Sequence, residues 1–467
     1  MSNNTIKTDV LIIGAGFAGI FAALSLVEQG YKKKIIIIEK GNNYFKRYCP
    51  VDHEKICNGC GGVCHVVSGF GGSLHYGDNV KLSYFPSGRA LYKKIKDNYF
   101  KYLNKILDIL EISKSDFSSY DVSNDKYFSS QIKGYPVLTL NSLKLKKILE
   151  NIYEELNKHS NIDIIFNSEC NEIQNNKDEF LIHTTKNKFI CNNLVIATGR
   201  AGLFWWNDYM DRLKIKYEPP TISLGVRFEC PTSILHPIHQ VHNDFKTTFY
   251  IDKHKFKTFC FSSGQGGGKI KFVNYSNNYT FLDGHTTDED ESDISNFAIL
   301  TQLKHNDNTP LSFNEVEKEY LTKYKNLRTD KSGKPVIQSY IDFKNRTLKN
   351  KTLKDFQNNN IMYSKLDLEV KRLDKVLDDK IHSSLCQAFE KVFLDFCQYS
   401  NFDFVSSIKQ ISVIGLELEF MWNLPHLNSS METNIENLYM VGDASGVAQG
   451  ALQAAISSYA ITNNIIK

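Results

Sequence analysis

A glycine-spaced turn between two apolar runs limits what this chain can fold into more than any other feature. Val10-Leu11-Ile12-Ile13 is a continuous apolar run of the kind buried in a parallel sheet, and it leads directly into Gly14-Ala15-Gly16-Phe17-Ala18-Gly19. In this G-x-G-x-x-G pattern the first glycine permits a tight turn. The second lets backbone approach a pyrophosphate, and the third allows close helix–strand contact. Ile20, Ala23, Leu24 and Val27 then recur at helical spacing, with Gly30 as a stop. A second apolar run, Ile35 to Ile38, ends at Glu39, twenty residues past Gly19. The spacing predicts one β-α-β unit with a parallel, right-handed crossover. Its helix N-terminus offers N–H groups and partial positive charge to a dinucleotide's phosphates. Glu39 sits where a carboxylate accepts ribose hydroxyls and repels a 2′-phosphate, and Lys40 beside it is assigned to the same site.

The turn fits any adenine dinucleotide, and the far end of the chain narrows the choice. Val441-Gly442-Asp443-Ala444 follows a buried run, Leu438 to Val441, and precedes a helical stretch, Ala451 to Ile465, with Gly450 just before it. This resembles the flavoprotein pattern in which an Asp after a Gly holds the ribityl chain while the next helix N-terminus faces the flavin. Ala197-Thr198-Gly199 resembles the strand-end motif before the exit to the substrate domain in two-dinucleotide-binding flavoproteins. Gly71 and Gly72 complete the cofactor set. These motifs, in this order, point to FAD. A capping role for Asp443 is the alternative at that position. No second convincing G-x-G-x-x-G occurs, which argues against a separate NAD(P)H-binding Rossmann domain.

At 467 residues the chain calls for two or three structural units. Ile162 to Phe166 reads as a third core strand, and Phe180 to Thr184 with Lys188 to Cys191 as a small antiparallel crossover. Helices are expected over Tyr92 to Leu110, Ser142 to Leu156, Leu311 to Tyr324 and Leu385 to Phe396. Pro219-Pro220 marks a boundary. The expected fold is α/β: a Rossmann-like FAD-binding domain, with a parallel sheet and an antiparallel β crossover, plus an inserted mixed α+β substrate domain. The expected division is 1–220 for the first part of the FAD domain, including a Cys/Gly-rich loop over 41–88. An inserted substrate or cap domain follows over 221–403, and 404–467 returns to the FAD domain.

Lys plus Arg is 56 against 52 for Asp plus Glu, a balance that argues against a nucleic-acid partner. No stretch approaches the ~20 apolar residues needed to cross a bilayer, and the polar N-terminus lacks the apolar core of a secretory signal. A cytoplasmic location is expected. Ten cysteines in such a compartment suggest metal or redox chemistry more than a disulfide framework.

Four of those cysteines, Cys49, Cys57, Cys60 and Cys64, form a C-x7-C-x2-C-x3-C cluster. Three readings fit it: a tetrahedral zinc or iron–sulfur site on all four, a redox-active Cys57–Cys60 dithiol exchanging electrons with a flavin, and inert buried thiols. Cys260 is a candidate partner for the cluster. His285 after Gly284 is the remaining catalytic candidate. Arg227 reads as an anion ligand or as one half of a structural ion pair with Glu229 or another acid, and Lys81 and Arg89 as lining of the flavin pocket or solvent-facing residues. His236, His239 and His242 have a suggestive spacing, but Pro237 is expected to break the helix that would align them.

Taken with Cys49-Pro50, Ser68-Gly69-Phe70-Gly71-Gly72, Ala197-Thr198-Gly199-Arg200, Leu224-Gly225-Val226-Arg227-Phe228-Glu229, Thr258-Phe259-Cys260 and Asp283-Gly284-His285, the sequence resembles the bacterial family of uncharacterised FAD-dependent dehydrogenases. It departs from that pattern at the Cys60–Cys64 spacing and at Gly71-Gly72-Ser73-Leu74. The resemblance implies an FAD-dependent oxidoreductase, a dehydrogenase or reductase passing a hydride or electron pair through FAD. It also implies a small-molecule substrate and NAD(P)H or a protein as electron donor. An FAD-dependent monooxygenase and a flavin-carrying redox sensor or partner subunit without turnover are the alternatives.

Overall fold

The computed structural model describes residues 5–466 except 54, 56–58, 75–78, 275–279, 288–291, 329–333 and 420. Two large sheets organise it. The first has the order Ile162–Phe166, Ile35–Glu39, Thr5–Ile13, Lys188–Ile196, Phe180–Thr184, Cys170–Asn175, and Leu438–Met440 also pairs with Lys188–Ile196. The first four strands and Leu438–Met440 run parallel, while 180–184 and 170–175 turn back antiparallel. This is the expected parallel sheet with its antiparallel crossover. The strand expected over Lys188 to Cys191 continues unbroken to Ile196, so its first half serves the crossover and its second half the central sheet.

The order follows from burial. Val10 through Ile13 and Ile35 through Ile38 are buried along their whole lengths, which suits strands covered on both faces. The first helix, Phe17–Glu28, and the closing helix, Ala451–Tyr459, pack together on this sheet, and Ser458 Oγ donates to Ala18 O at 2.6 Å. Gly30 takes φ +86° past the end of the first helix, the left-handed stop its position calls for. The helix expected over Tyr92 to Leu110 is two helices, Arg89–Ile95 and Asn98–Ile109, because Lys96 between them takes φ +41°.

The second sheet has eight strands, ordered 369–370, 336–339, 412–419, 223–231, 294–302, 254–262, 247–251 and 131–132, and is antiparallel except where 369–370 joins 336–339. A long helix, Asp379–Tyr399, covers one face, with Phe389 stacked on Phe228 at 4.0 Å between ring centres. Pro237 lies inside a helix, Thr232–Val241, rather than ending one; buried Ile234, Leu235, Ile238 and Val241 hold the segment through the missing backbone bond. No helix among the described residues is long and apolar enough to cross a membrane.

Candidate functional site

The glycine turn is assembled as its spacing demands. Gly14 takes φ +107°, and a Cβ on Gly19 would stand 1.9 Å from Gly14 O, so the third glycine is there for helix–strand contact. The end of the Cys/Gly loop closes over this turn: Gly71 N donates to Ala15 O at 2.8 Å, and Gly16 and Gly71 form a bridge. Arg47, which the sequence reading passed over, holds that loop in shape. Its buried guanidinium donates to the carbonyls of His65, Val66, Phe70 and Leu74 at 2.7–3.2 Å.

A cavity of about 1080 Å³ opens between this turn and the second sheet. Of the residues expected to hold the cofactor, Gly14, Gly16, Phe17, Ala18, Glu39, Lys40, Gly71, Gly72, Thr198, Gly199, Gly442, Asp443, Gly450 and Ala451 all line it. Gly19 alone does not. Two helix N-termini, at Gly16–Phe17 and Gly450–Ala451, border the same space, and neither is capped by a side chain. Their partial positive charge is directed at whatever fills the cavity.

Glu39 is buried, and its carboxylate is already engaged. Oε2 accepts from Ala15 N at 2.8 Å, and Oε1 from Gly41 N at 2.7 Å and Gly69 N at 2.9 Å. The residue expected to read a ribose thus also ties the nucleotide turn to the Cys/Gly loop. Asp443 lines the cavity too, its carboxyl pushed upward by burial and drawn back by Arg200. Arg200 in turn meets Asp283 at 3.1 Å.

The cavity's walls suit FAD on two observations. Thr198 Oγ1, Ser68 Oγ and Trp205 Nε1 are buried at this cavity and have no hydrogen-bond partner among the described residues, an unusual state for buried polar atoms and one a polar ligand relieves. A Cβ on Gly199 would meet nothing within 4 Å and would occupy cavity space.

The cysteine cluster is different. Cys57 lies outside the described residues. Cys49 and Cys64 are buried with Val66, Val67 and Val273, and burial beside Asp52 pushes the Cys49 thiol up to about 12. Among the described residues no group of three or more His, Cys, Asp or Glu is placed to hold a metal. The Cys260 thiol lies 3.3 Å from Gly284 O, and Cys260 is not among the residues of that apolar pocket. His285 neighbours Asp283 at 3.8 Å but is not among the cavity's lining residues.

Arg227 proves to be the buried half of an ion pair. It donates to Glu417 at 3.1 Å, with Asn296 Oδ1 at 2.6 Å and Cys260 O at 3.1 Å. Glu229 instead accepts from Ser364 and Ser412. His236 meets Gly264 O, and His242 meets Tyr135 O. Burial next to Lys81 lowers His239 to about 3. Lys81 pairs with Asp244 and is not among the cavity's lining residues, whereas Arg89 is.

Residues 9–44 match the FAD binding domain family. Over 99% of its length the chain is 24% identical to an uncharacterised protein of Clostridium beijerinckii, covering 81% of that protein. Among solved structures it is similar to a variant of E. coli quinol fumarate reductase FrdA, at 13% identity and TM-score 0.40 over 98% of this chain and 69% of the other. A flavoprotein/dehydrogenase from Cytophaga hutchinsonii shares 13% identity, at TM-score 0.31 over 66% of this chain and 57% of the other. At these scores the solved structures do not bear on the chemistry. The cofactor assignment rests on the 9–44 match and on the cavity that those residues line.

Proposed function

We propose that this FAD-dependent oxidoreductase is a dehydrogenase or reductase that passes a hydride or electron pair between a small-molecule substrate and a separate donor or acceptor. The observation that carries the reading is the single cavity running from the glycine turn to the second sheet, so that one space serves cofactor and substrate. FAD, when bound, supplies two-electron redox chemistry, and the chain's residues position it and set its surroundings.

In this reading the first helix N-terminus at Gly16–Phe17 takes the pyrophosphate. Glu39, with three of about four acceptor positions used, offers the last to a ribose hydroxyl. Gly442, Asp443 and the Gly450–Ala451 helix start border the ribityl and ring end. Thr198, Gly199, Gly71 and Gly72 close the walls, and Lys40 lines the same space. The cofactor unit is drawn from residues 1–220 and 404–467 and the substrate unit from 221–403, except that strands 131–132 and 412–419 belong to the second sheet. Cys57 and Cys60 serve as a dithiol relay, or with Cys49 and Cys64 as a cluster site, and His285 as an acid–base group behind Asp283. The donor is NAD(P)H or a protein, and the setting is the cytoplasm.

Anaerobic mixing with NADH, NADPH and small reductants tests the reaction class. Bleaching of the flavin band, followed by its return on adding an acceptor, is expected. Labelled oxygen appearing in an organic product would replace the dehydrogenase with a monooxygenase. A flavin that no donor reduces would leave a carrier without turnover.

A further inference from the structure

The second sheet presents the cavity with a feature that FAD does not explain. Strands Thr247–Ile251 and His254–Ser262 pair with Thr248 opposite Lys257 and Tyr250 opposite Lys255. Strand alternation therefore puts Lys255 and Lys257 on one face, with buried Phe249 and Phe256 against each other on the other. Lys246 belongs to the lysine face and reaches over the Phe259 ring at 5.9 Å. Lys133 joins from the edge strand, its N–H bonded to Lys246 O at 2.7 Å. All four lysines line the cavity, and Arg89 stands on it as well.

Like charges on adjacent strands destabilise a sheet. Lys246 is compensated by Asp244 at 2.9 Å, an acid it shares with Lys81, and Lys257 by Glu419. No described carboxylate stands within ion-pair distance of Lys133, Lys255 or Arg89. Partial burial lowers the Lys133 ammonium, and the neighbouring charges of Lys255, Lys246 and Arg89 lower it further. Thr248 and Gln131 add hydrogen-bonding groups to the same wall. Such a wall costs stability when bare, and an anion that bridges the lysines removes that cost.

We propose that the Lys133–Lys246–Lys255–Lys257 face is the substrate subsite, and that it takes a small organic anion carrying at least two negative charges, as carboxylates or a phosphate ester. This deepens the function proposed above and rests on FAD occupying the turn end of the same cavity. The four ammonium groups hold the anionic part of the substrate, leaving its reactive carbon toward the Asp443 and Gly450 end.

The test is calorimetric titration of FAD-loaded protein, with FAD-free protein titrated alongside, using citrate and, separately, inorganic pyrophosphate at constant ionic strength set by chloride. Saturable binding of one or both is expected, and which one binds separates the carboxylate from the phosphate form. Each lost ammonium contact should weaken binding about tenfold, so K133Q/K255Q should bind about a hundredfold more weakly. K133R/K255R should bind nearly as well as the parent. Both lysines are exposed, so a matching unfolding temperature will show that the variants are folded. Equal binding by parent and K133Q/K255Q, no binding of either anion, or anion binding that FAD abolishes would overturn the proposal. The last result would assign the lysines to the cofactor's own phosphates. A chain that takes up no FAD before any titration would overturn the reading beneath it.

Discussion

The two walls of the cavity are built from different material. On the first sheet the wall is backbone: the 14–19 turn, the Gly71–Gly72 segment laid over it and two helix N-termini, drawn together by Glu39 and Arg47. On the second sheet it is side chain: Lys133, Lys246, Lys255 and Lys257 line the cavity, and the same sheet holds a buried Arg227–Glu417 pair. A backbone wall depends on the absence of side chains, so it tolerates few substitutions but works for a fixed cofactor. A side-chain wall can be rewritten one residue at a time.

The comparison breaks first at Arg227. Arg227→Leu leaves Glu417 buried without its cation and should cost about 3–5 kcal/mol in urea unfolding. The double variant R227L/E417L should regain most of that. If R227L alone costs nothing, the second sheet does not depend on this pair.

Glu229 on the same strand gives a pH test. Burial pushes its carboxyl up to about 7 from 4.5, so the folded chain holds this proton more tightly than the unfolded chain does. Its stabilising contribution is complete below about pH 4.5 and is lost as the pH rises through about 7. Glu229→Gln should flatten the stability profile across that window by up to about 3 kcal/mol. An unchanged slope would remove Glu229 as its source.

The backbone wall is probed by Gly19→Ala. The added methyl meets Gly14 O, so a loss of about 1–3 kcal/mol is expected, together with loss of bound flavin. A variant that keeps both would refute the close packing of helix on turn. The smallest effect belongs to Glu39→Gln, which turns charge-assisted bonds to Ala15, Gly41 and Gly69 into weaker ones. FAD retention, measured by dialysis, should fall about tenfold; unchanged retention would leave Glu39 without a part in the site.

The same division explains what could be read from the sequence. The turn, its two flanking strands, Gly442-Asp443 and Ala197-Thr198-Gly199 were legible because backbone geometry restricts residue type: only glycine fits where Gly19 meets Gly14. Their convergence on one cavity follows from a parallel sheet, whose strand ends share one edge. The lysine wall was not legible, since it depends on the pairing of 247–251 with 254–262 and on the edge strand at 131–132, more than a hundred residues away. Lys255 and Lys257 two apart in a strand-like run were the available signal. Arg47 left no trace at all, because backbone carbonyls such as those of Phe70 and Leu74 carry no residue signature to search for. Arg227 was legible as an ion pair but not its partner, since Glu417 comes from a strand 190 residues on.

The cysteine cluster drew attention through spacing alone, and burial has set two of its members in an apolar pocket. A Gly-rich loop bearing four cysteines fits several chemistries. Only the placement of its end, across the nucleotide turn through Gly71, is tied to the cavity.

The account stands or falls on the cofactor. Protein purified without added flavin, then denatured and its supernatant quantified by absorbance and mass, tests it most directly. One FAD per chain is the expected result. A colourless protein that releases no flavin and takes up none on incubation with FAD would contradict it.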